Sequence, residues 1–212
     1  MITTVFITHC CRSVRRLTWW LDRPLLLAGL LLMLALPASA EPTDISVMQV
    51  ERADKGLVLS AQVRFELPAV VEDALLKGIP MVFVAEATVL KDRWYWYDKE
   101  VAQATRYMRL SYQPLTRRWR LQVSSTPITA GGLTLGQNFD AREEALAALQ
   151  RISGWKIAAD AEIDPGAVHR VVLRFALDVS QLPRPFQIGV VGQPEWSISA
   201  TEAARVPPEG AR

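Results

Sequence analysis

Side chains that could carry catalysis are scarce in this chain of 212 residues. His169 is the only histidine after residue 40, and both cysteines, Cys10 and Cys11, precede that point. A serine hydrolase needs a histidine beside an activated serine, but the chain contains no G-x-S-x-G sequence. His169 begins an apolar strand pattern, which is typical of a structural histidine. We therefore expect a non-enzymatic protein without catalytic, metal or cofactor residues, and an envelope hydrolase is an alternative.

Four consecutive aromatic residues form the first candidate binding feature. At strand spacing, Trp94 and Trp96 lie on one side and Tyr95 and Tyr97 on the other. Exposed flat rings suit the apolar faces of sugars, so Trp94 and Trp96 are candidates for binding a glycan or peptidoglycan. Aromatic rings also dominate protein contacts. The structural alternative is that one pair packs in the core while the other covers a sheet edge.

A basic hairpin is the second candidate. The segment 101–139 contains five arginines and no acidic residue. Pro114 predicts a turn between strands at 101–112 and 117–124, since proline favours the second position of a turn. Counted from that turn, Arg109 lies opposite Arg120. Like charges in facing positions destabilise a strand pair by up to about 1 kcal/mol, so an acidic group should offset them.

The offsetting group can be internal or external. The internal candidates are Glu66, Glu86, Asp98 and Glu100. The external candidates are a phospholipid head group, an envelope glycan or an acidic partner protein. In the protein-binding hypothesis, Arg109, Arg118 and Arg120 supply charge that steers the encounter. Tyr95 and Tyr97 then supply contact area.

The first 40 residues predict export. Four arginines precede a charge-free, leucine-rich stretch at 24–40 that ends in small residues. A basic start, an apolar core and a small-residue exit are typical of a signal peptide, and this core is shorter than the roughly 20 apolar residues of a spanning helix. We expect cleavage after Ala40, a periplasmic location and no stable membrane anchor afterwards.

Cleavage would also change the charge. Four of the 24 basic and one of the 22 acidic residues precede Glu41, so 20 basic and 21 acidic residues follow. The remaining 172 residues thus carry a formal charge of −1, which gives no support for nucleic-acid binding. They also contain no cysteine for a disulfide. The expected partner is an envelope protein, and the sequence does not determine the oligomeric state.

Alternation of apolar and polar residues predicts that most of the remaining chain is strand. The predicted strands lie at 57–67, 79–90, 101–112, 117–124, 155–163, 168–179 and 186–198. One predicted helix lies at 69–77 and is closed by Gly78. A second begins at Asp140 as its N-cap and runs to about Ile152, and Glu143 completes a capping box with Asp140.

These elements predict an all-β fold: a β-sandwich, with immunoglobulin-like topology as one form, and one or two short helices. An α+β sheet with helices on one face is the alternative. We expect a signal peptide at 1–40, a single domain at 41–200 and a flexible tail at 201–212.

Three motifs resemble a known family. They are Gly-Ile-Pro-Met-Val-Phe at 78–83, Asp-Arg-Trp-Tyr-Trp at 92–96 and Leu-Ser-Tyr-Gln-Pro-Leu-Thr-Arg-Arg-Trp at 110–119. Together they are similar to a secreted proteobacterial family known only as domain of unknown function 4390, over about residues 44–200. The resemblance implies no assigned activity or ligand and no catalytic residues. It implies a link to a membrane sensor kinase of the nitrogen-regulation type, whose genes lie beside those of the family.

Overall fold

The computed structural model describes residues 43–53, 55–93, 97–128, 136–184, 186–187 and 193–208. They belong to one compact unit, Ala40–Arg212. Strands β1 to β9 within these residues span Asp44–Ala53, Gly56–Arg64, Met81–Lys91, Lys99–Gln113, Arg118–Ser124, Gly136–Phe139, Arg151–Ala159, His169–Leu177 and Ser199–Val206. Helices α1 and α2 span Ala69–Leu76 and Arg142–Gln150.

The strands form two antiparallel sheets that pack as a β-sandwich, as the alternation predicts. One sheet has the order β1-β2-β7 and the other the order β6-β5-β4-β3-β8-β9. This order agrees with a variable-type immunoglobulin sandwich, in which strands A, B and E pair in one sheet and C″, C′, C, F and G in the other. The difference is β6, which pairs with β5 at the edge of the larger sheet instead of joining the smaller one.

Three phenylalanines join the two sheets in the core. Phe65 directly follows β2, whereas Phe83 and Phe175 lie on β3 and β8 of the larger sheet. The ring centroids of Phe65 lie 5.6 Å from Phe83 and 5.5 Å from Phe175. Aromatic pairs at this spacing combine large buried area with favourable ring geometry. The interior-facing positions of β2 and β3 thus define the core, as their alternation indicates.

Helix α1 begins at the predicted residue and ends one residue before the predicted position. It starts directly after Pro68, whose carbonyl accepts hydrogen bonds from the amides of Val71 and Glu72 at 2.9 and 3.0 Å. At the other end Gly78 has a φ of +83°, and its amide donates to the carbonyl of Leu75. Glycine adopts this left-handed conformation without a Cβ penalty, which is why the helix stops there.

Helix α2 differs from its predicted form at both ends. Its N-cap is Ala141, which makes no side-chain capping bond, so the capping box predicted at Asp140 and Glu143 is absent. The Glu143 carboxylate instead accepts a hydrogen bond from Arg142. The helix ends at Gln150, and β7 starts at the next residue. The sequence instead predicts a helix to about residue 152 and a strand that starts at 155.

The strand prediction is wrong at the two ends of the domain. Strand β1 was not predicted, nor was the short β6. The described residues of the predicted strand at 186–198 are not in strand conformation, and residues 188–192 lie outside the described part of the chain. The amide of Phe186 donates to the Pro183 carbonyl in a helical turn, and Pro194–Trp196 is a 3₁₀ turn. Residues 201–206 belong to β9, which pairs with β8, so they are not the expected tail. Edge strands bury few side chains, which weakens their sequence pattern. In the described residues, no helix has both the length and the apolar character needed to cross a membrane.

Candidate functional site

His169 is a buried structural residue. Its side chain is 0% exposed, and neither ring nitrogen has a hydrogen-bond partner in the described part of the chain. Burial lowers the pKa of His169, and the charge of Arg52 lowers it further. The Ala167 carbonyl partly opposes this shift, although its geometry falls short of a hydrogen bond. The ring therefore favours its neutral form, and it makes no hydrogen bond to a serine hydroxyl among the described residues.

The hairpin formed by β4 and β5 has a register two residues away from the predicted one. Arg120 pairs with Ser111, and Arg109 pairs with Gln122, so Arg109 and Arg120 are not opposite each other. The cause lies in the turn. Its four-residue loop is 114–117 instead of the predicted 113–116, and Arg117 at its end adopts a left-handed conformation with φ 53°. A shift of two residues keeps every side chain on its predicted face.

Two of the predicted arginines lie together on the face of the larger sheet that points away from the core. We call Arg109, Ser111, Arg120 and Gln122 the outer basic surface. Because Arg120 is opposite Ser111, it lies diagonally next to Arg109, close enough for long side chains to meet. Both arginines are half-buried, and neither side chain forms an ion pair with any described residue.

The Arg120 side chain is held by close packing against β6. A Cβ added to Gly136 would lie 2.8 Å from Arg120 Nε, so this glycine allows the arginine to lie flat across the neighbouring strand. The same Nε is buried and lacks a hydrogen-bond partner within the residues described. A buried donor without a partner costs about 1–3 kcal/mol.

The third predicted arginine has an internal partner that the sequence analysis did not identify. Arg118 Nε lies 3.1 Å from Asp140 Oδ1, and both side chains are more than half exposed. Exposed pairs of this kind contribute about 0–1 kcal/mol.

Two of the four acids considered as internal partners pair with other arginines. Glu86 Oε2 lies 3.9 Å from Arg174, and Asp98 Oδ2 lies 3.3 Å from Arg170. Neither carboxylate therefore offsets the charge of Arg109 or Arg120.

Of the predicted aromatic residues, the structure describes only Tyr97, and it does not join the outer basic surface. Trp94, Tyr95 and Trp96 lie outside the described residues, so their predicted roles are not addressed by the structure. Tyr97 is 93% exposed and precedes β4. Fourteen residues separate it from Ser111 along an extended strand, a distance on the order of 40 Å. Tyr97 and Arg120 therefore cannot contact one small epitope together.

One charged residue that sequence reasoning missed lies on the inner face of the larger sheet. Arg106 shares its side of β4 with Met108 and Leu110, which are buried in the core. Its guanidinium carbon lies 4.9 Å from the centroid of the Trp155 ring. The alternation along β4 contained this signal, because residues two apart share a face. No cluster of three or more histidine, cysteine or acidic side chains suited to a metal ion occurs among the described residues.

Comparison with known proteins assigns the chain to a family without assigning an activity. The model of a family described as Domain of unknown function (DUF4390) matches residues 40–205, which include every strand of both sheets except the last residue of β9. No curated protein and no solved structure matches the chain. Because the family match covers well over half of the sequence, the chain belongs to the DUF4390 family.

Proposed function

We propose that this protein is a non-catalytic binding module of the bacterial envelope. In this proposal, the signal sequence at 1–40 exports the chain to the periplasm, where the outer basic surface contacts an acidic segment of a partner protein. The candidate partner is the periplasmic part of a membrane sensor kinase, and this choice of partner rests on the family resemblance. The observation that carries the proposal is the pair Arg109 and Arg120, adjacent on a sheet face and without an acidic partner among the described residues.

The chemistry of this surface favours recognition over reaction. Guanidinium groups bind carboxylates through two parallel hydrogen bonds, so two neighbouring arginines suit a segment with closely spaced acids. Ser111 and Gln122 lie beside them and add neutral polar groups. The surface is part of a rigid sheet, which reduces the entropy lost on binding. Its charges would mainly increase the association rate and make it salt-dependent.

Site-specific photo-crosslinking in the native envelope tests this proposal. A photoreactive amino acid at Ser111 should form an adduct with an envelope protein, whereas the same residue at Thr201 on β9 should not. Arg120→Glu should reduce the Ser111 adduct by about tenfold, because it replaces attraction with repulsion at a close contact. Raising the salt concentration from about 50 to 500 mM should also reduce the adduct, since screening shortens the electrostatic range.

Arg205→Glu is the matched control. Arg205 is an exposed arginine at the far edge of the same sheet, and its reversal changes the net charge by the same amount. Equal loss of the adduct in both variants would refute a local contact. Retention on purified peptidoglycan that Trp96→Ala abolishes would support glycan binding instead.

A further inference from the structure

A groove opens between the two sheets, on the side of the larger sheet opposite the outer basic surface. Its volume is about 680 Å³, within the range of about 300–1,000 Å³ typical of small-molecule sites. Leu121 and Val123 of β5 line one wall, and Ala147 of α2 lines another. Val123 is 44% exposed, which is unusual for a valine on the core-facing side of a sandwich. Because Leu121 is only 4% exposed, the apolar surface that the groove opens to solvent is formed by Val123 and Ala147.

Two arginines enter this groove from different sheets. Arg106 comes from β4 of the larger sheet, and Arg151 is the first residue of β7 in the smaller one. Gln137 and Ser153 add neutral polar groups to the lining, whose described residues include no aspartate or glutamate. Neither arginine forms an ion pair with any residue that the structure describes. The positive charge in the groove is thus not balanced by a described acidic group.

Arg106 is in an unfavourable position unless an anion joins it. Burial lowers its pKa, because the guanidinium has lost part of its hydration. The contact with the Trp155 ring recovers about 0.5–2 kcal/mol, depending on how dry the site is. A partly buried charge carries a desolvation cost that this contact alone does not remove. An anion placed between the two arginines would pair with both.

We propose that the groove binds an anionic amphiphile, a carboxylate with an apolar chain such as a fatty acid. The carboxylate would lie between Arg106 and Arg151, and the chain would cover Leu121, Val123 and Ala147. Charge complementarity selects the head group, and the exposed apolar wall selects the tail. This inference does not depend on the proposed function, because its residues are on the other face of the sheet.

Fluorescence titration with 11-(dansylamino)undecanoic acid tests the proposal on the chain from residue 41 onward. We expect saturable binding of the acid and at least about tenfold weaker binding of its methyl ester, since the ester lacks the charge that the arginines pair with. Arg106→Gln and Arg151→Gln should each weaken binding of the acid by about tenfold or more. Arg205→Gln, which removes an arginine far from the groove, should leave it unchanged. Competition by decanoate and by decyl phosphate then distinguishes a carboxylate from a phosphate head group.

A second variant keeps the test decisive if Arg106→Gln unfolds. Ala147 is exposed on α2 and lines the groove, so Ala147→Trp fills it without disturbing the core. This variant should melt like the wild type and lose the dansyl signal. The acid should also raise the melting temperature of the wild type but not that of Ala147→Trp, as expected for a ligand that binds the folded state. Three results would overturn the proposal: no saturable binding below about 1 mM, equal binding of acid and ester, or wild-type affinity in Ala147→Trp.

Discussion

The buried neutral histidine predicts a specific loss of stability on mild acidification. The folded pKa of His169 is lowered, first by burial and then by Arg52, whereas the unfolded chain should titrate near the ordinary value of 6.5. Above that pH both states are neutral at this residue. As the pH falls through 6.5, the unfolded state takes up the proton first, so the free energy of unfolding decreases until the folded pKa is reached.

The size of this loss has an upper limit that does not depend on how far the pKa is shifted. If the folded state stays neutral, protonation of one histidine in the unfolded state lowers the free energy of unfolding by RT ln(1 + 10) at one unit below the unfolded pKa. This decrease is about 1.4 kcal/mol at pH 5.5. Asp164, whose pKa is lowered first by its hydrogen bond from Lys91, does not interfere. Its stabilisation is lost only as the pH falls below the ordinary aspartate range, under about 4.

Urea denaturation of residues 41–212 at pH 7.5 and 5.5 measures the effect. The wild type should lose up to about 1.4 kcal/mol, whereas His169→Leu should lose little, because it lacks the histidine whose proton uptake differs between the folded and unfolded states. Leucine also removes two buried nitrogens that lack partners among the described residues. An equal loss in both proteins would refute the assignment. So would an NMR titration that places the folded His169 pKa at or above 6.5.

Two further predictions concern the packing of the sandwich. Phe175→Ala should reduce the free energy of unfolding by about 3–5 kcal/mol, since the ring is fully buried against Phe83. Leu115→Ala, at a fully exposed turn position, should change it by less than about 0.5 kcal/mol. Comparable urea midpoints for these two variants would contradict the assigned core. Gly56→Ala should be far more destabilising than Gly154→Ala, because a Cβ at Gly56 would lie 2.1 Å from the Ala158 carbonyl oxygen while Gly154 has open space around it. Gly154→Ala should cost only the roughly 1–2 kcal/mol of a left-handed non-glycine residue, and equal losses in thermal melts would refute the comparison.

The interior of the sandwich could be predicted from single residues because burial leaves a local periodic pattern. Along β2, alternate residues from Leu57 to Val63 are buried, and along β3 the same is true from Met81 to Val89. Even in β4, where the predicted register was wrong by two residues, Met108 and Leu110 lie on the predicted apolar side. A displacement by two residues preserves faces, so the core prediction survived an incorrect turn.

The candidate sites were less predictable because charged residues have no pattern that identifies their neighbours. Arg118 pairs with Asp140, a residue that sequence analysis assigned to a helix cap. The sequence analysis did not distinguish Arg106 from Arg109, because both belong to the basic hairpin. In the structure the two side chains lie on opposite faces of β4 and have different neighbours. Tyr97 was grouped with the arginines because it is close to them in sequence. Along an extended strand, however, residues separated by a short stretch of sequence lie far apart in space.

The sequence alone determined the all-β class, the inward face of the central strands, the end of α1 at Gly78 and the family to which the chain belongs. All of these depend on local periodicity, local backbone conformation or motif identity. Only the tertiary structure decided the strand order, the inclusion of β1 and β9 as edge strands, and the positions of Arg106 and Arg151 in one groove. Those features arise from pairing between segments distant in sequence, and the free energy that selects such pairings is distributed over contacts that no single segment contains.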